Sequence, residues 1–108
     1  MPKFSEILPT LEAVDHIQKI ELFSPNGRSA GVIENKPGSA GSVRVYHHLW
    51  KKHGNISPDA AREGLEIYAE HTENAEENPG KHPNIDRLFD VIASEETLRV
   101  NIVPIATA

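Results

Sequence analysis

The stretch Ile17-Gln18-Lys19-Ile20-Glu21-Leu22-Phe23-Ser24-Pro25-Asn26-Gly27-Arg28-Ser29-Ala30-Gly31-Val32-Ile33-Glu34 decides how this chain is read. Ile20 and Leu22 fall on one side and Lys19 and Glu21 on the other, the period of two that marks a half-buried strand. Pro25-Asn26-Gly27 is a turn signal, because Asn and Gly accept positive φ at little cost. A strand over residues 17–24, this turn, and a second strand over 28–34 make a β-hairpin. Residues 97–105 repeat the strand pattern, with Leu98, Val100 and Ile102 alternating against Arg99 and Asn101. Paired beside the first strand, they bring the sheet to about three strands.

The remaining segments carry helical periods. Leu8, Leu11 and Val14 suggest a short amphipathic helix within residues 4–14, starting at Pro9, whose missing N–H costs nothing in a first turn. Residues 43–53 place Val45, Leu49 and His53 with Tyr46 and Trp50 on one broad face. Ser42 is the expected N-cap, Lys51 and Lys52 suit the last turn, and Gly54 suits the stop. Read as a strand, the same residues mix polar and apolar groups on both faces, so the helix is preferred. Ser57-Pro58-Asp59 is a helix start. It leads one helix to about residue 77, with Ala61, Leu65, Tyr68, Thr72 and Ala75 buried and Glu66, Glu70, Glu73 and Glu77 on the solvated side. Asn78-Pro79-Gly80 ends it. A last helix over 83–93 turns Ile85, Leu88, Phe89 and Ile92 inward. The expected fold is α+β, one domain over residues 1–108, with a small sheet of hairpin plus C-terminal strand covered by helices on one face. Residues 106–108 are expected to fray.

Composition narrows the functional classes. The chain has 108 residues, 11 Lys and Arg against 16 Asp and Glu, a formal charge of −5 and no cysteine. Nucleic acid demands a basic footprint, and Lys51-Lys52 alone does not supply one. Without cysteine there is no disulfide, thiolate metal site or cysteine nucleophile. The N-terminus lacks the apolar run of a signal sequence, and no stretch reaches the length of a membrane span. A cytoplasmic protein with neither nucleic-acid nor membrane partners is expected, and homo-oligomerisation is left open.

Two constellations point to chemistry. Gly38-Ser39-Ala40-Gly41-Ser42 leads into a helix, where free N–H groups favour anions. Lys36 and Arg44 flank it, so Lys36, Gly38, Ser39, Gly41, Ser42 and Arg44 form a candidate anion site. It matches neither a P-loop nor a nucleophile elbow. All histidines except His16 fall between positions 47 and 82. His47 and His48 diverge by about 100° on a helix and cannot readily share an ion. A metal site therefore has to assemble from several helices, as His47, His71, His82 and Asp86 around zinc or iron. The simpler expectation gives His53 and His71 a hydrogen bond each, leaves His48 in solvent, and requires no metal or other cofactor.

Pro37-Gly38, Val45-Tyr46-His47, Tyr68-Ala69-Glu70-His71-Thr72 and Pro79-Gly80-Lys81-His82-Pro83-Asn84-Ile85-Asp86-Arg87-Leu88 resemble a family of small proteobacterial proteins of unknown function. The resemblance extends over nearly the whole chain. It implies a bacterial, cytoplasmic, one-domain protein and carries no activity or site residue. Two functional readings follow. The preferred one is a non-enzymatic binding or accessory module for a protein partner or a small anionic ligand. The alternative is a small metal-dependent enzyme using the inter-helical histidines. No complete set of nucleophile, base and oxyanion donors is visible, which favours the first.

Overall fold

Ile17, Ile20 and Leu22 are completely buried, and they place the first strand at the centre of the sheet. In the computed structural model, which describes residues 2–106, β1 (Ile17–Phe23) pairs antiparallel with both β2 (Ser29–Glu34) and β3 (Arg99–Pro104). Ile20 stands opposite Ile33 on one side and Ile102 on the other, so isoleucines run across the inner face. Lys19 and Glu21 line the outer face, where Asn101 donates to the Glu21 carboxylate at 2.7 Å. The hairpin closes as expected. Gly27, at φ 86°, donates its N–H to the Ser24 carbonyl, and the Ser24 N–H reaches Arg28.

Helix α2 (Ala40–His53) covers the inner face and buries Val43, Val45, Tyr46 and Leu49. It starts earlier than expected. Gly38, at φ 96°, turns the chain so that Ser39 and Ala40 both donate to the Lys36 carbonyl. The N-cap position therefore falls to Ser39, and Ser42 lies inside the first turn. Gly54 ends the helix in the left-handed conformation, with its N–H on the Trp50 carbonyl at 2.7 Å.

The N-terminal segment also differs from expectation. Helix α1 (Phe4–Ile7) precedes Pro9 and gives way to a 3₁₀ turn (Leu8–Thr10). Proline cannot donate, and its ring crowds the carbonyl one turn back, so here it stops a helix. Residues 11–16 then cross α2 without regular structure, held by Arg44, which donates to the Leu11 carbonyl at 2.6 and 3.2 Å.

The long helix expected over 58–77 is two helices, α3 (Pro58–Tyr68) and α4 (Glu70–Glu77). Ser57 caps α3, accepting from the Ala60 N–H at 3.2 Å. The chain breaks at Ala69, with φ 52° and ψ −118°. Helix α3 runs between α2 and α5 (Pro83–Ser94), and Gly64 permits that approach. A methyl at Gly64 would stand 2.7 Å from Leu88 and 2.9 Å from Leu49.

Helix α5 packs chiefly on α3 and touches the sheet through Arg87, an orientation that turns Ile85, Leu88 and Val91 into its buried stripe. Phe89 and Ile92, expected in that stripe, are half-buried at its edge. Phe89 instead borders a hollow beside Ala75 and Pro79. Leu98 precedes β3 as a separate bridge to Ile56. The architecture is thus α+β, with helices on one face of a three-stranded sheet. Of the tail expected to fray, Ala106 is exposed, and Thr107 and Ala108 lie outside the described residues.

Positive φ at a non-glycine residue carries a cost of about 1–3 kcal/mol. Ala69→Gly should therefore raise stability by about 0.5–1 kcal/mol in a denaturant titration, whereas glycine within a continuous helix would cost about 1 kcal/mol. A lower denaturation midpoint would refute the break.

Candidate functional site

The break at Ala69 sets the direction of α4 and helps to shape a cleft of about 430 Å³. Its walls come from α1, the start of α2, the end of α3, the start of α4 and the start of α5. Glu70 accepts the Phe4 N–H at 2.8 Å, tying α4 to the N-terminus. This hydrogen bond holds the Glu70 carboxyl below its ordinary pKa. Phe4 stacks on Tyr68, with ring centres 5.4 Å apart, and meets His71 edge-on at 5.2 Å. His71 is followed by His82 at 5.9 Å, and Lys81 also lines the cleft. One wall is aromatic, and one end carries three basic side chains.

The glycine loop adjoins the aromatic wall, for a Cβ at Gly41 would stand 3.6 Å from the Phe4 ring. Gly38, Ser39, Gly41 and Ser42 all line the cleft. Ser39 spends its hydroxyl on the Glu34 carbonyl at 2.6 Å and does not cap α2. Among the described residues, no acceptor takes the N–H groups of Gly41 and Ser42. Ser42 accepts the Tyr68 hydroxyl at 2.7 Å, which leaves its own proton for another acceptor. Burial pushes the Tyr68 phenol far above its ordinary pKa and keeps it a donor. His82 Nε2 lies 2.8 Å from Asn74 Oδ1, an acceptor only, so this nitrogen is the donor.

Two members of the expected anion site do not line this cleft. Lys36 pairs with Glu34 at 2.9 Å, and Arg44 is engaged with backbone carbonyls of the N-terminal segment. Their place is taken by His71, Lys81 and His82, which sequence reasoning had not joined to the loop. The expected metal set divides. His71 and His82 are neighbours, whereas Asp86 accepts the Gly80 N–H at 2.9 Å. His47 stands apart, with its ring 5.8 Å from His16 and 5.7 Å from Trp50. Among the described residues, no three His, Asp or Glu side chains are grouped to hold a metal.

Two other titrating groups lie outside the cleft. Glu63 bridges α2 and α3, with its oxygens 2.8 Å from His48, 2.9 Å from His53 and 3.0 Å from Lys52. His48, expected in solvent, is therefore engaged. Partial burial works against ionisation of Glu63, but the three donors outweigh it and hold its pKa down to about 2. His47 is only 4% exposed, and its Nδ1 has no hydrogen-bond partner. The nearest carboxylate, Glu12, is 3.8 Å away. Burial holds His47 below the ordinary imidazole pKa. The acidic stripe Glu66, Glu70, Glu73 and Glu77 is exposed, as expected.

Fold and cleft together define a small α+β protein with a basic, aromatic-walled recess at its helical end. The chain belongs to the family described as an uncharacterized protein conserved in bacteria (DUF2322), whose profile it matches over residues 4–102. No curated protein and no solved structure matches the chain. No helix among the described residues is long and apolar enough to cross a membrane.

Acid should destabilise the fold in two stages. A histidine with a depressed folded pKa contributes stability above about pH 6.5 that is lost as the pH falls through that value. His47→Phe should remove this first stage. Glu63 contributes stability above its ordinary value of 4.5 that is lost as the pH falls toward about 2. Glu63→Gln should cost about 1–2 kcal/mol near pH 7 and flatten the second stage. Chemical denaturation across pH checks both, and unchanged profiles in the variants would refute the assignments.

Proposed function

We propose that this protein is a non-enzymatic binding module of the bacterial cytoplasm, and that its cleft takes a small anionic ligand. The observation that carries this reading is one recess lined by the 38–42 loop, His71, Lys81 and His82. Its size suits a small molecule, since ligand pockets commonly measure about 300–1,000 Å³. The ligand's acidic group faces the basic side chains and the unpaired N–H groups of Gly41 and Ser42. Helix-start N–H groups add partial positive charge at the same place. Its apolar body lies along Phe4 and Ile85, beside the Ser42 hydroxyl. A compound with one phosphate or carboxylate and a short apolar body fits this pattern.

Inorganic phosphate tests the acidic end of the site. At about 100 times its Kd, a ligand confined to the folded state stabilises by about 2.7 kcal/mol. Phosphate should raise the melting temperature saturably. Replacing His71, Lys81 and His82 together by Ala should abolish the rise. Lys36→Ala with Arg44→Ala should leave it intact, because those side chains are engaged elsewhere. Equal rises in wild type and the triple variant would reduce the effect to general salt stabilisation and end the proposal.

A further inference from the structure

Arg87 is a half-buried cation whose contacts are all neutral. Its Nε donates to the Ala30 carbonyl at 3.0 Å. Nη1 donates to the Asn84 side-chain oxygen at 2.8 Å and to the Tyr46 hydroxyl at 3.3 Å. Tyr46 cannot supply the missing negative charge. Its burial pushes the phenol pKa up to about 12, and its proton is already given to the Asn84 carbonyl at 2.5 Å. Among the described residues, no carboxylate pairs with Arg87, and no acceptor meets Nη2. A guanidinium withdrawn from water is ordinarily matched by an anion.

Nη2 lies against the edge strand of the sheet. It rests on the backbone of Gly31, where a Cβ would stand only 2.4 Å away, so this position admits no side chain while the guanidinium lies there. Gly31 has φ 135°, a conformation that also favours glycine. Arg87 and Gly31 line a groove of about 510 Å³ between β2 and the start of α5. β2 is an edge strand, and the Asn35 N–H bonds to Gln18 across the hairpin. The period of two then turns the N–H of Val32 away from β1, toward the open edge. Lys36, on the same groove, adds a second cation, although Glu34 neutralises it.

We infer that this groove, which adjoins the cleft across Ser39, Pro83 and Asn84, is a second binding site that takes an oxyanion of a carboxylate or phosphate ligand on Arg87 Nη2. Three neutral acceptors fix the guanidinium, so the donor is positioned before the ligand arrives. Its planar geometry suits these two anion types. Chloride, a sphere without directed lone pairs, gains less from the arrangement.

NMR titration of the isotope-labelled full-length protein tests the inference, with sodium acetate and inorganic phosphate added separately at ionic strength held constant with chloride. The Arg87 Nε–H and the Gly31 and Val32 amides should shift saturably with at least one anion. Acetate alone identifies a carboxylate site, phosphate alone a phosphoryl site, and both support the general oxyanion reading. Arg87→Lys keeps the charge but loses the planar donor set, and should weaken binding about tenfold or more. Because Arg87 also ties α5 to β2, the wild-type titration is judged independently by where its shifts fall. His82→Ala should leave the Arg87 response unchanged, whatever it does to the cleft. Shifts that are absent, linear or spread evenly over the surface would overturn the site. So would Arg87→Lys binding as tightly as wild type, or loss of the Arg87 response in His82→Ala.

Discussion

Tyr46 is completely buried and still has a hydroxyl to satisfy. Leaving such a group without a partner costs about 1–3 kcal/mol by protein mutational measures. The solution reaches well beyond one side chain. Tyr46, on α2, donates to the backbone of Asn84 at the start of α5 and accepts from Arg87 one turn later. Arg87 continues the path to the Ala30 carbonyl beside the hairpin's bulge. One phenol therefore sets α5 against α2, and through Arg87 against the sheet edge. Since Lys81, His82 and Asn84 lie at that end of α5, the same constraint positions the floor of the cleft.

The second organising feature is the break at Ala69, which works in the opposite sense because it carries strain. Glu70 takes the Phe4 N–H, and the Thr72 hydroxyl reaches back to the Leu65 carbonyl at 2.5 Å. Both contacts are compatible with a chain that turns at Ala69. The turn leaves His71 against Phe4 and within one ring of His82. A straight helix would carry position 71 onward along the α3 axis. The backbone cost is thus linked to the arrangement that gathers the cleft's basic groups.

The hairpin, the Ser57 cap and the Gly54 stop were legible in the sequence because each depends on a few adjacent residues, whereas the pairing of the last strand with the first joins distant segments and followed only from the need to bury their apolar faces. Ala69 was not, since nothing in Tyr68-Ala69-Glu70 disfavours a helix locally. Phe89 was placed in the core because periodicity defines a stripe without defining its rotation, and packing on α3 moves that stripe to Val91. The glycine loop was legible as a wall, but its charges were not. Lys36 and Arg44 were chosen as sequence neighbours, and their side chains found Glu34 and Leu11 instead. The basic groups that do line the cleft come from residues 71–82, more than a helix away in sequence. The available signal was two histidine-bearing peptides, each next to a helix end.

Histidines crowded in sequence are sorted by the fold according to what they meet. His48 and His53 meet Glu63 and are committed to it, as part of a contact between helices. His47 meets Trp50 and His16 in a buried setting that opposes protonation. His82 meets a neutral amide, and His71 meets an aromatic ring. Neither of these last two is hydrogen-bonded to a carboxylate among the described residues. The helical rotation that separates His47 from His48, and the turn that brings His71 to His82, therefore decide which histidines hold the fold and which face the recess.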